Sequence, residues 1–205
     1  MTESQYHSLI RNIINTNINI SDKQAMEAVK TLISWIGDDP NREGLLETPK
    51  RVINAYKEFF SGYNIDAKDV LGKVFEEVGN YDEMVIVRDI RLESHCEHHM
   101  VPIIGKIHIG YLPNKKVVGI SKLARLADIY AKRLQTQETM TAQIAHDLQN
   151  ILEPKGVAIL CDAAHQCMTT RGVHKINSST ITIQMTGIFK EDSQKREEFL
   201  QLIKN

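Results

Sequence analysis

Two short stretches of the chain concentrate side chains that could do chemistry. The first, ESHCEHHM, runs from Glu93 to Met100 and holds three histidines, one cysteine and two carboxylates. The second, HQCMTTRG, begins much later in the chain, at His165. Cysteine and histidine are the side chains that most often bind zinc in proteins. The two stretches therefore predict one metal site that is built from distant parts of the chain.

The spacing within each stretch indicates which side chains bind the metal. Cys96 and His99 form a C-x-x-H pair, which lets two side chains of one turn reach a single ion. Cys167 is the best candidate for the third ligand, because it also has a histidine close by. Catalytic zinc sites keep three protein ligands and leave a fourth position to water, whose pKa falls from about 16 toward about 7. A structural zinc site needs four protein ligands in two close pairs, and the sequence offers no second close pair.

Two histidines beside the predicted ligands are candidates for proton transfer, since imidazole titrates near neutral pH. His98 precedes His99, and adjacent side chains do not easily point the same way, so one can bind metal while the other faces a substrate. His165 lies two residues before Cys167, and on a strand both would project to the same face. We predict that His98 and His165 transfer protons. The alternative for either one is a hydrogen bond to the backbone.

Cys161 and His95 leave alternatives open. Cys161 follows the apolar run VAIL, where a buried and unreactive cysteine is the favoured interpretation. It has the same strand parity as Cys167, however, so geometry alone does not eliminate it as a ligand. His95 is left open as an alternate ligand because it adjoins Cys96. The favoured interpretation is a solvated histidine, or one that lies next to the ligands without binding the metal.

The elements that must position these residues change type along the chain. The first third is predicted to be helical, because SDKQAMEAVKTLISWIG has a cap and a one-sided apolar stripe, and ETPKRVINAYKEFFSG has a proline in its first turn. From about Glu83 onward, β-branched residues with partial alternation predict strands. The predicted order is the strands EMVIVRDIRLES and GKIHIGYLP, the helices SKLARLADIYAKRL and TQETMTAQIAHDLQNILEP, the strands GVAILCDAAHQC and STITIQMTGIF, and the helix SQKREEFLQLIK.

This order predicts an α+β fold, in which a pair of helices covers one face of an antiparallel sheet. We expect an N-terminal helical region over residues 1–82 and a catalytic domain over residues 83–205. The opening segment, MTESQYHSLIRNIINTNINISDKQ, is polar and rich in asparagine. It is predicted to be loosely ordered or to act as a docking arm.

The composition argues against several classes of protein. The 205 residues include 25 lysines and arginines and 26 aspartates and glutamates, which is not the basic excess of a general polynucleotide binder. No run approaches the roughly 18 apolar residues of a membrane span, and the N-terminus lacks the core of a signal peptide. Three cysteines do not make a disulfide framework. We therefore predict a cytoplasmic protein that binds neither nucleic acid nor membrane.

Several segments together resemble GTP cyclohydrolase I, a family of zinc enzymes. CEHH, followed much later by H-x-C-x-x-x-R-G, is a highly specific pairing. The matching segments lie in order from about Pro40 to the C-terminus, roughly four fifths of the chain. They are ETPKRV, RDI, SHCEHHMVPIIGKIHIGYLP, GISKLARL, QTQE, HQCMTTRG and REEFL.

The resemblance implies a role for each matching residue. It implies that Cys96, His99 and Cys167 bind zinc, and that His98 and His165 are the acid and base. It also makes Ser121 a candidate proton carrier for the later steps, and the sequence does not divide these roles between Ser121 and the two histidines. The positions that match the triphosphate site are Ser121, Lys122, Arg125 and Arg171, together with Arg51 from a neighbouring subunit. Gln137 and Glu138 match the positions that read the edge of guanine. Arginine suits phosphate because its paired donors grip two oxygens, and a carboxylate accepts from both guanine N1–H and the 2-amino group.

The resemblance also implies the reaction and the assembly. Zinc-activated water hydrolyses the guanine imidazole ring of GTP, formate is released, and the product is 7,8-dihydroneopterin triphosphate, at the start of tetrahydrofolate and pterin synthesis. Family members adopt the tunnelling fold and assemble as toroids, commonly decamers, with active sites between subunits. Two alternatives are a related tunnelling-fold nitrile reductase, which needs NADPH and no zinc, and a non-catalytic binding protein stabilised by zinc.

Three positions depart from the family pattern. Leu134 stands where proline is expected, so the shape of that loop is expected to differ. Asn54 stands where some relatives have a lysine near the phosphates, which is expected to weaken one contact. His95 stands where relatives usually have a residue that is not a ligand. None of the three is a predicted ligand or catalytic histidine, so we expect an active enzyme.

Overall fold

The computed structural model describes residues 19–72, 74–75 and 81–204. Most of the predicted loosely ordered N-terminal segment, residues 1–18, lies outside the described residues. The helices are α1 (Asp22–Trp35), α2 (Thr48–Phe59), α3 (Ala67–Leu71), α4 (Ile120–Ala131), α5 (Gln137–Leu152), α6 (Gln166–Thr169), α7 (Ile188–Glu191) and α8 (Ser193–Ile203). The strands are β1 (Val74–Phe75), β2 (Val85–Cys96), β3 (Pro102–Leu112), β4 (Val117–Val118), β5 (Leu134–Gln135), β6 (Gly156–His165) and β7 (Thr180–Met185).

The N-terminal region is helical, as the sequence predicts. Helix α1 begins with a capping box, in which the Ser21 side chain accepts from the backbone N–H of Gln24 and the Gln24 side chain accepts from Ser21. Helix α2 carries Pro49 in its first turn, where a missing N–H leaves no intrahelical hydrogen bond unmade. The chain divides into two compact units between Glu58 and Phe59. The functional division between residues 82 and 83 stays a prediction.

The second unit is built on a five-stranded sheet in the order β5-β2-β3-β6-β7. The pairs β2–β3, β3–β6 and β6–β7 are antiparallel, while the two-residue strand β5 pairs parallel with the end of β2. Because β2 and β6 both run opposite to β3, their C-terminal ends lie at the same end of the sheet, on either side of the start of β3. The predicted α+β sheet is confirmed, and this end of it carries the predicted metal ligands.

Helices α4 and α5 cover one face of the sheet. The core on this face includes Ile103, Ile107 and Ile109 of β3, which alternate along the strand and are fully buried. Helix α5 ends at Leu152, and Glu153 takes the left-handed conformation before Pro154. The predicted pair of helices is therefore present, and it packs against the strands that end at the site.

A second, smaller core lies around the C-terminal helices. Phe189 of α7 and Phe199 of α8 pack with Leu112, at the far end of β3, and with Ala158. Gly110 makes room for this packing, because a Cβ at that position would lie 2.9 Å from two carbons of the Phe199 ring. Phe189 and Phe199 are both fully buried. This core holds the end of the sheet opposite to the predicted ligands.

Across residues 19–72, 74–75 and 81–204, none of the helices combines the length and the apolar character that a membrane span requires.

Candidate metal centre and active site

The first two predicted ligands lie in the hairpin turn between β2 and β3. Cys96 is the last residue of β2, and its N–H donates to the Val101 carbonyl over 2.9 Å. The Cys96 carbonyl accepts from the N–H groups of His99 and Met100, which close the turn. Met100 has a φ of 55°, the left-handed conformation that reverses the chain. The C-x-x-H spacing therefore corresponds to one tight turn.

Cys167 reaches this turn from the end of β6. The register pairs Ser94 and His165 with the same residue, Ile103 of β3, so the ends of β2 and β6 lie on either side of it. Strand β6 ends at His165, and Cys167 lies in the helical turn α6 that follows. One ligand atom from each of Cys96, His99 and Cys167 lies within 4.8 Å of the other two.

This group of donors fits a zinc ion. Two thiols and one imidazole are common zinc ligands, with Zn–S and Zn–N distances of about 2.3 and 2.0–2.1 Å. Burial, and then the neighbouring Cys96, raise the pKa of the Cys167 thiol. A bound dication would oppose both effects and stabilise the sulfurs as thiolates. Among the described residues, this is the one cluster of three or more histidine, cysteine or acidic side chains with such a geometry.

The two predicted proton-transfer histidines have different surroundings. His98 Nδ1 lies 3.7 Å from Cys96 Sγ, and its Nε2 lies 3.9 Å from a Glu97 carboxylate oxygen. The His98 and His99 rings are inclined at 71° with centroids 6.3 Å apart, so the two rings meet edge to face and do not stack. The His165 Nε2 lies 2.8 Å from Gln137 Oε1. Burial lowers the pKa of His165, and the Glu138 carboxylate acts in the opposite direction.

Arg171, a predicted triphosphate residue, contacts the predicted metal ligand His99. Its Nη1 lies 3.2 Å from His99 Nε2. A guanidinium group can only donate, so this imidazole nitrogen accepts. The Arg171 guanidinium therefore lies beside the group of predicted ligands.

The predicted guanine-reading residues open helix α5. Thr136 caps the helix, and its side chain accepts from the Thr139 N–H. Glu138 is exposed in the first turn, where a carboxylate is stabilised by the helix dipole. The Gln137 side chain is fully buried and bonds to His165, an arrangement that sequence reasoning missed. Residues 137 and 165 are far apart in the chain, and only the folded sheet brings them together.

The remaining predicted phosphate residues lie on two helices. Ser121 and Lys122 belong to the first turn of α4, and Arg125 lies one turn later. Ser121 and Arg125 are exposed, and Lys122 Nζ lies 3.4 Å from the Leu71 carbonyl. Arg125 also lines a pocket of ≈ 220 Å³ beside α4. Arg51 is exposed on α2, in the first compact unit.

The structure corrects the strand-parity argument for Cys161 and Cys167. Because β6 ends at His165, Cys167 does not continue the alternation of the strand, and neither His165 nor Cys161 is related to it by parity. Cys161 is fully buried, and burial raises the pKa of its thiol to about 12. It does not belong to the three-residue metal group, which agrees with the favoured interpretation of a buried, unreactive cysteine.

Two of the positions that depart from the family pattern are neighbours in the sheet. His95 of β2 pairs with Leu134 of β5. The His95 ring stacks on Phe59 with centroids 4.7 Å apart and meets the edge of Phe60, so it packs away from the metal group. The Leu134 N–H donates to the Tyr63 hydroxyl over 3.1 Å, a bond that a proline does not make. The third position, Asn54, is exposed on α2.

Comparisons with known proteins agree on one family. The family model described as GTP cyclohydrolase I matches residues 25–204. A protein of Maricaulis maris named GTP cyclohydrolase 1 is 59% identical over 187 residues, which are 91% of each chain. Its namesake in Allorhizobium ampelinum is 56% identical over 185 residues, 90% of this chain and 92% of the relative.

Among solved structures, an archaeosine synthase QueF-Like in the apo form is similar with a TM-score of 0.43 and 16% identity, over 51% of this chain and 93% of that one. That likeness is too distant to carry an argument about function. The family match covers nearly all of the described residues, including the three grouped ligands. The chain therefore belongs to the GTP cyclohydrolase I family, and its α+β architecture is the tunnelling fold predicted for that family.

Proposed function

We propose that this protein is a zinc-dependent GTP cyclohydrolase I. GTP and water give formate and 7,8-dihydroneopterin triphosphate, the first step of tetrahydrofolate and pterin synthesis. The observation that carries the proposal is the grouping of Cys96, His99 and Cys167 within 4.8 Å in a chain of this family. Relatives that cover about nine tenths of the chain are named GTP cyclohydrolase 1, so the reductase and scaffold alternatives are not favoured.

The zinc proposal depends on the three grouped side chains. Cys96, His99 and Cys167 would hold the ion, and three protein ligands would leave room for water. The zinc would act as a Lewis acid that lowers the pKa of that water toward neutrality. The protein contributes the turn after β2 and the turn after β6, which hold the ligands at the same end of the sheet.

Proton transfer falls to side chains around this group. Opening the imidazole ring of guanine requires a proton on a ring nitrogen, and later steps move protons on the ribose. His165 and His98 lie within two residues of proposed ligands and take the acid and base roles at the ring. Ser121, exposed on the first turn of α4, is the proposed carrier for the later steps.

The triphosphate is proposed to lie at the start of α4. The N-terminus of a helix presents unpaired N–H groups and the positive end of its dipole, which suit an anion. Ser121, Lys122 and Arg125 stand on this part of the helix, and Arg171 adds a guanidinium next to the metal group. Paired guanidinium donors bind phosphate oxygens more specifically than an ammonium group does. The guanine edge is proposed to lie at the start of α5, where Glu138 accepts from N1–H and the 2-amino group.

We propose that the protein works as a homo-oligomer, a toroidal decamer with active sites between subunits. One feature supports assembly: strand β7 is an edge strand that exposes Ile181 and Ile183. Arg51, which is exposed, is proposed to reach the site of a neighbouring subunit. Light scattering coupled to size exclusion is expected to give a mass close to ten chains. A monomer with full activity would contradict this part of the proposal.

The cytoplasm is the proposed location. All three cysteines are free thiols, and the reaction needs two of them as zinc ligands. A reducing compartment keeps such thiols available. Fractionation of the producing cells is expected to recover the activity with cytoplasmic markers.

One assay tests the activity. The purified protein is mixed with GTP, and formate and pterin fluorescence are followed with and without added zinc. The wild-type protein is expected to turn over GTP, and Cys167→Ser is expected to lose both metal and turnover. Persistent turnover in Cys167→Ser would remove zinc ligation from the proposal. Activity that requires NADPH, or bound zinc without GTP consumption, would instead support one of the two alternatives.

A further inference from the structure

Gln137 is the first residue of α5, and its side chain is completely withdrawn from solvent. All of its polar atoms have partners. Nε2 lies 3.2 Å from the Cys161 carbonyl, 2.8 Å from the Thr180 carbonyl and 3.2 Å from Thr182 Oγ1. Oε1 lies 2.8 Å from His165 Nε2. One buried amide thus connects the backbone of β6 and β7 to the proposed catalytic imidazole.

These partners determine how the amide is oriented. A backbone carbonyl only accepts hydrogen bonds, so the amide atom that faces the Cys161 and Thr180 carbonyls is the nitrogen. The atom that faces His165 is then the carbonyl oxygen of the amide, which also only accepts. The His165 Nε2 must therefore carry a proton, and this N–H donates a hydrogen bond to Gln137 Oε1. The orientation follows from two main-chain groups, which no side-chain rotation can alter.

We propose that Gln137 is a positioning residue, which holds His165 in the tautomer with its proton on Nε2 and leaves Nδ1 as the nitrogen that exchanges a proton with the guanine ring. This inference rests on the proposed function and gives the Gln137 side chain a task other than direct contact with guanine. The proton on Nε2 stays in the bond to Gln137 throughout the reaction.

The surroundings of Gln137 hold it firmly. The Thr141 hydroxyl donates to the Gln137 carbonyl over 2.7 Å and lies 2.7 Å from Thr182 Oγ1. Thr141 is buried in the next turn of α5, and Thr182 belongs to β7. Together with the contact between Gln137 Nε2 and Thr182 Oγ1, these two contacts join the start of the helix to the sheet. Such a connected network keeps a catalytic side chain in one orientation, which reduces the reorganisation needed during proton transfer.

The kinetic test compares two buried glutamines of the same helix. Gln137→Met keeps the volume and removes the acceptor for His165. Gln143→Met is the matched control, because Gln143 is also buried and accepts from the Gln135 side chain over 3.0 Å, but it has no bond to His165. We expect Gln137→Met to lower kcat about 100-fold with a change in KM for GTP below about threefold. Gln143→Met is expected to stay within about threefold of the wild-type kcat.

A third variant tests the hydrogen-bonding pattern directly. A protonated glutamate offers one O–H donor and one accepting oxygen, so Gln137→Glu can donate to the Thr180 carbonyl and accept from His165. We expect the kcat of Gln137→Glu to be at least about tenfold higher than that of Gln137→Met. Equal losses of kcat in Gln137→Met and Gln143→Met would reduce Gln137 to a packing residue. A raised KM with unchanged kcat would make it a substrate contact instead.

A spectroscopic readout tests the tautomer without any assay of turnover. Solid-state NMR of protein labelled with ¹⁵N-histidine, with the His165 signals identified by their loss in His165→Asn, distinguishes a protonated ring nitrogen from an unprotonated one. At a pH where the ring is neutral, the unaltered protein is expected to show the His165 proton on Nε2, and Gln137→Met a mixture of tautomers. A proton on Nδ1 in the unaltered protein would overturn the inference. An inactive wild-type protein with the expected tautomer would count against the proposed function alone.

Discussion

Strand β6 places two cysteines in opposite environments within a few residues. Cys161, in the middle of the strand, is fully buried, and burial raises the pKa of its thiol to about 12. Cys167, just beyond the end of the strand, is half-buried and lies with Cys96 and His99 in the metal group. Both residues are cysteines, and they lie six positions apart in the chain. The difference in chemistry comes from where the strand stops.

The comparison shows how this fold separates stability from reactivity. Middle-strand residues such as Ile159 and Cys161 pack beneath α4 and α5 and are shielded from water. The turns that follow β2 and β6 are less buried, since Glu97 to Met100 are exposed and Gln166 to Thr169 are half-buried. Loops and strand ends positioned by a rigid sheet are the usual place for catalytic groups. We therefore expect substitutions in the two regions to affect different properties.

The largest expected effect is on activity, from a change at the end of the strand. Cys167→Ala removes one of three proposed ligands and is expected to lower the rate of formate release from GTP by about 10³-fold or more. Cys161→Ala is the matched control in the same segment and is expected to keep its metal and nearly all of its activity. Equal metal loss in the two variants, measured by elemental analysis, would break the comparison.

A change in the middle of the strand is expected to affect stability instead. Ile159 is fully buried, so Ile159→Ala leaves a cavity and should lower the free energy of unfolding by about 2–5 kcal/mol. Urea unfolding followed by circular dichroism measures this loss. At low temperature the variant is expected to bind metal at the wild-type ratio. Loss of metal without loss of stability would mean that the two regions are not separate.

Thiol reactivity sharpens the same comparison. With a pKa of about 12 for the Cys161 thiol, only about one molecule in ten thousand carries the thiolate at pH 8, and the thiolate is the reactive form. After removal of metal by a chelator, iodoacetamide is expected to label Cys167 at pH 8 at least about 100-fold faster than Cys161. Raising the pH toward 12 should bring the labelling rate of Cys161 closer to that of Cys167. Mass spectrometry of the labelled peptides gives both rates, and similar rates at pH 8 would refute the assigned burial.

The smallest expected effect concerns the bond between Leu134 and Tyr63. Leu134→Pro removes the N–H that donates to the Tyr63 hydroxyl and is expected to lower the free energy of unfolding by about 0.5–1.5 kcal/mol. Leu134→Ala keeps the N–H and serves as the control. Tyr63→Phe should cost a similar amount, and the double variant Leu134→Pro with Tyr63→Phe little more than either. Full additivity in this cycle would show that the bond contributes nothing.

The parts of the site that sequence reasoning could predict are those written in residue types and short spacing. Cys96 and His99 share one turn, and Cys167 is the remaining cysteine with a nearby histidine, so the ligand types alone identify the group that the structure brings together. The helices and strands also follow from caps and periodicity, since Ser21 and Pro49 mark helix starts directly. These signals depend only on residues that are close in the chain, so they can be recognised without knowledge of the fold.

The parts that could not be predicted depend on strand ends and on register. Composition does not reveal that β6 stops at His165, and the wrong strand-parity argument for Cys167 followed from this. The bond between Gln137 and His165 arises because α5 begins beside the end of β6, a relation set by tertiary packing. The pairing of His95 with Leu134 likewise requires the parallel register of β2 and β5. Long-range geometry of this kind has no signal in residue spacing.

The central claim is a metal ion with three protein ligands and one open position, and X-ray absorption at the zinc edge of the purified protein tests it most directly. The account predicts about one zinc per chain, with two sulfur ligands, one imidazole nitrogen and one oxygen from solvent. Four protein ligands around the ion, or a metal-free protein with full GTP turnover, would contradict it.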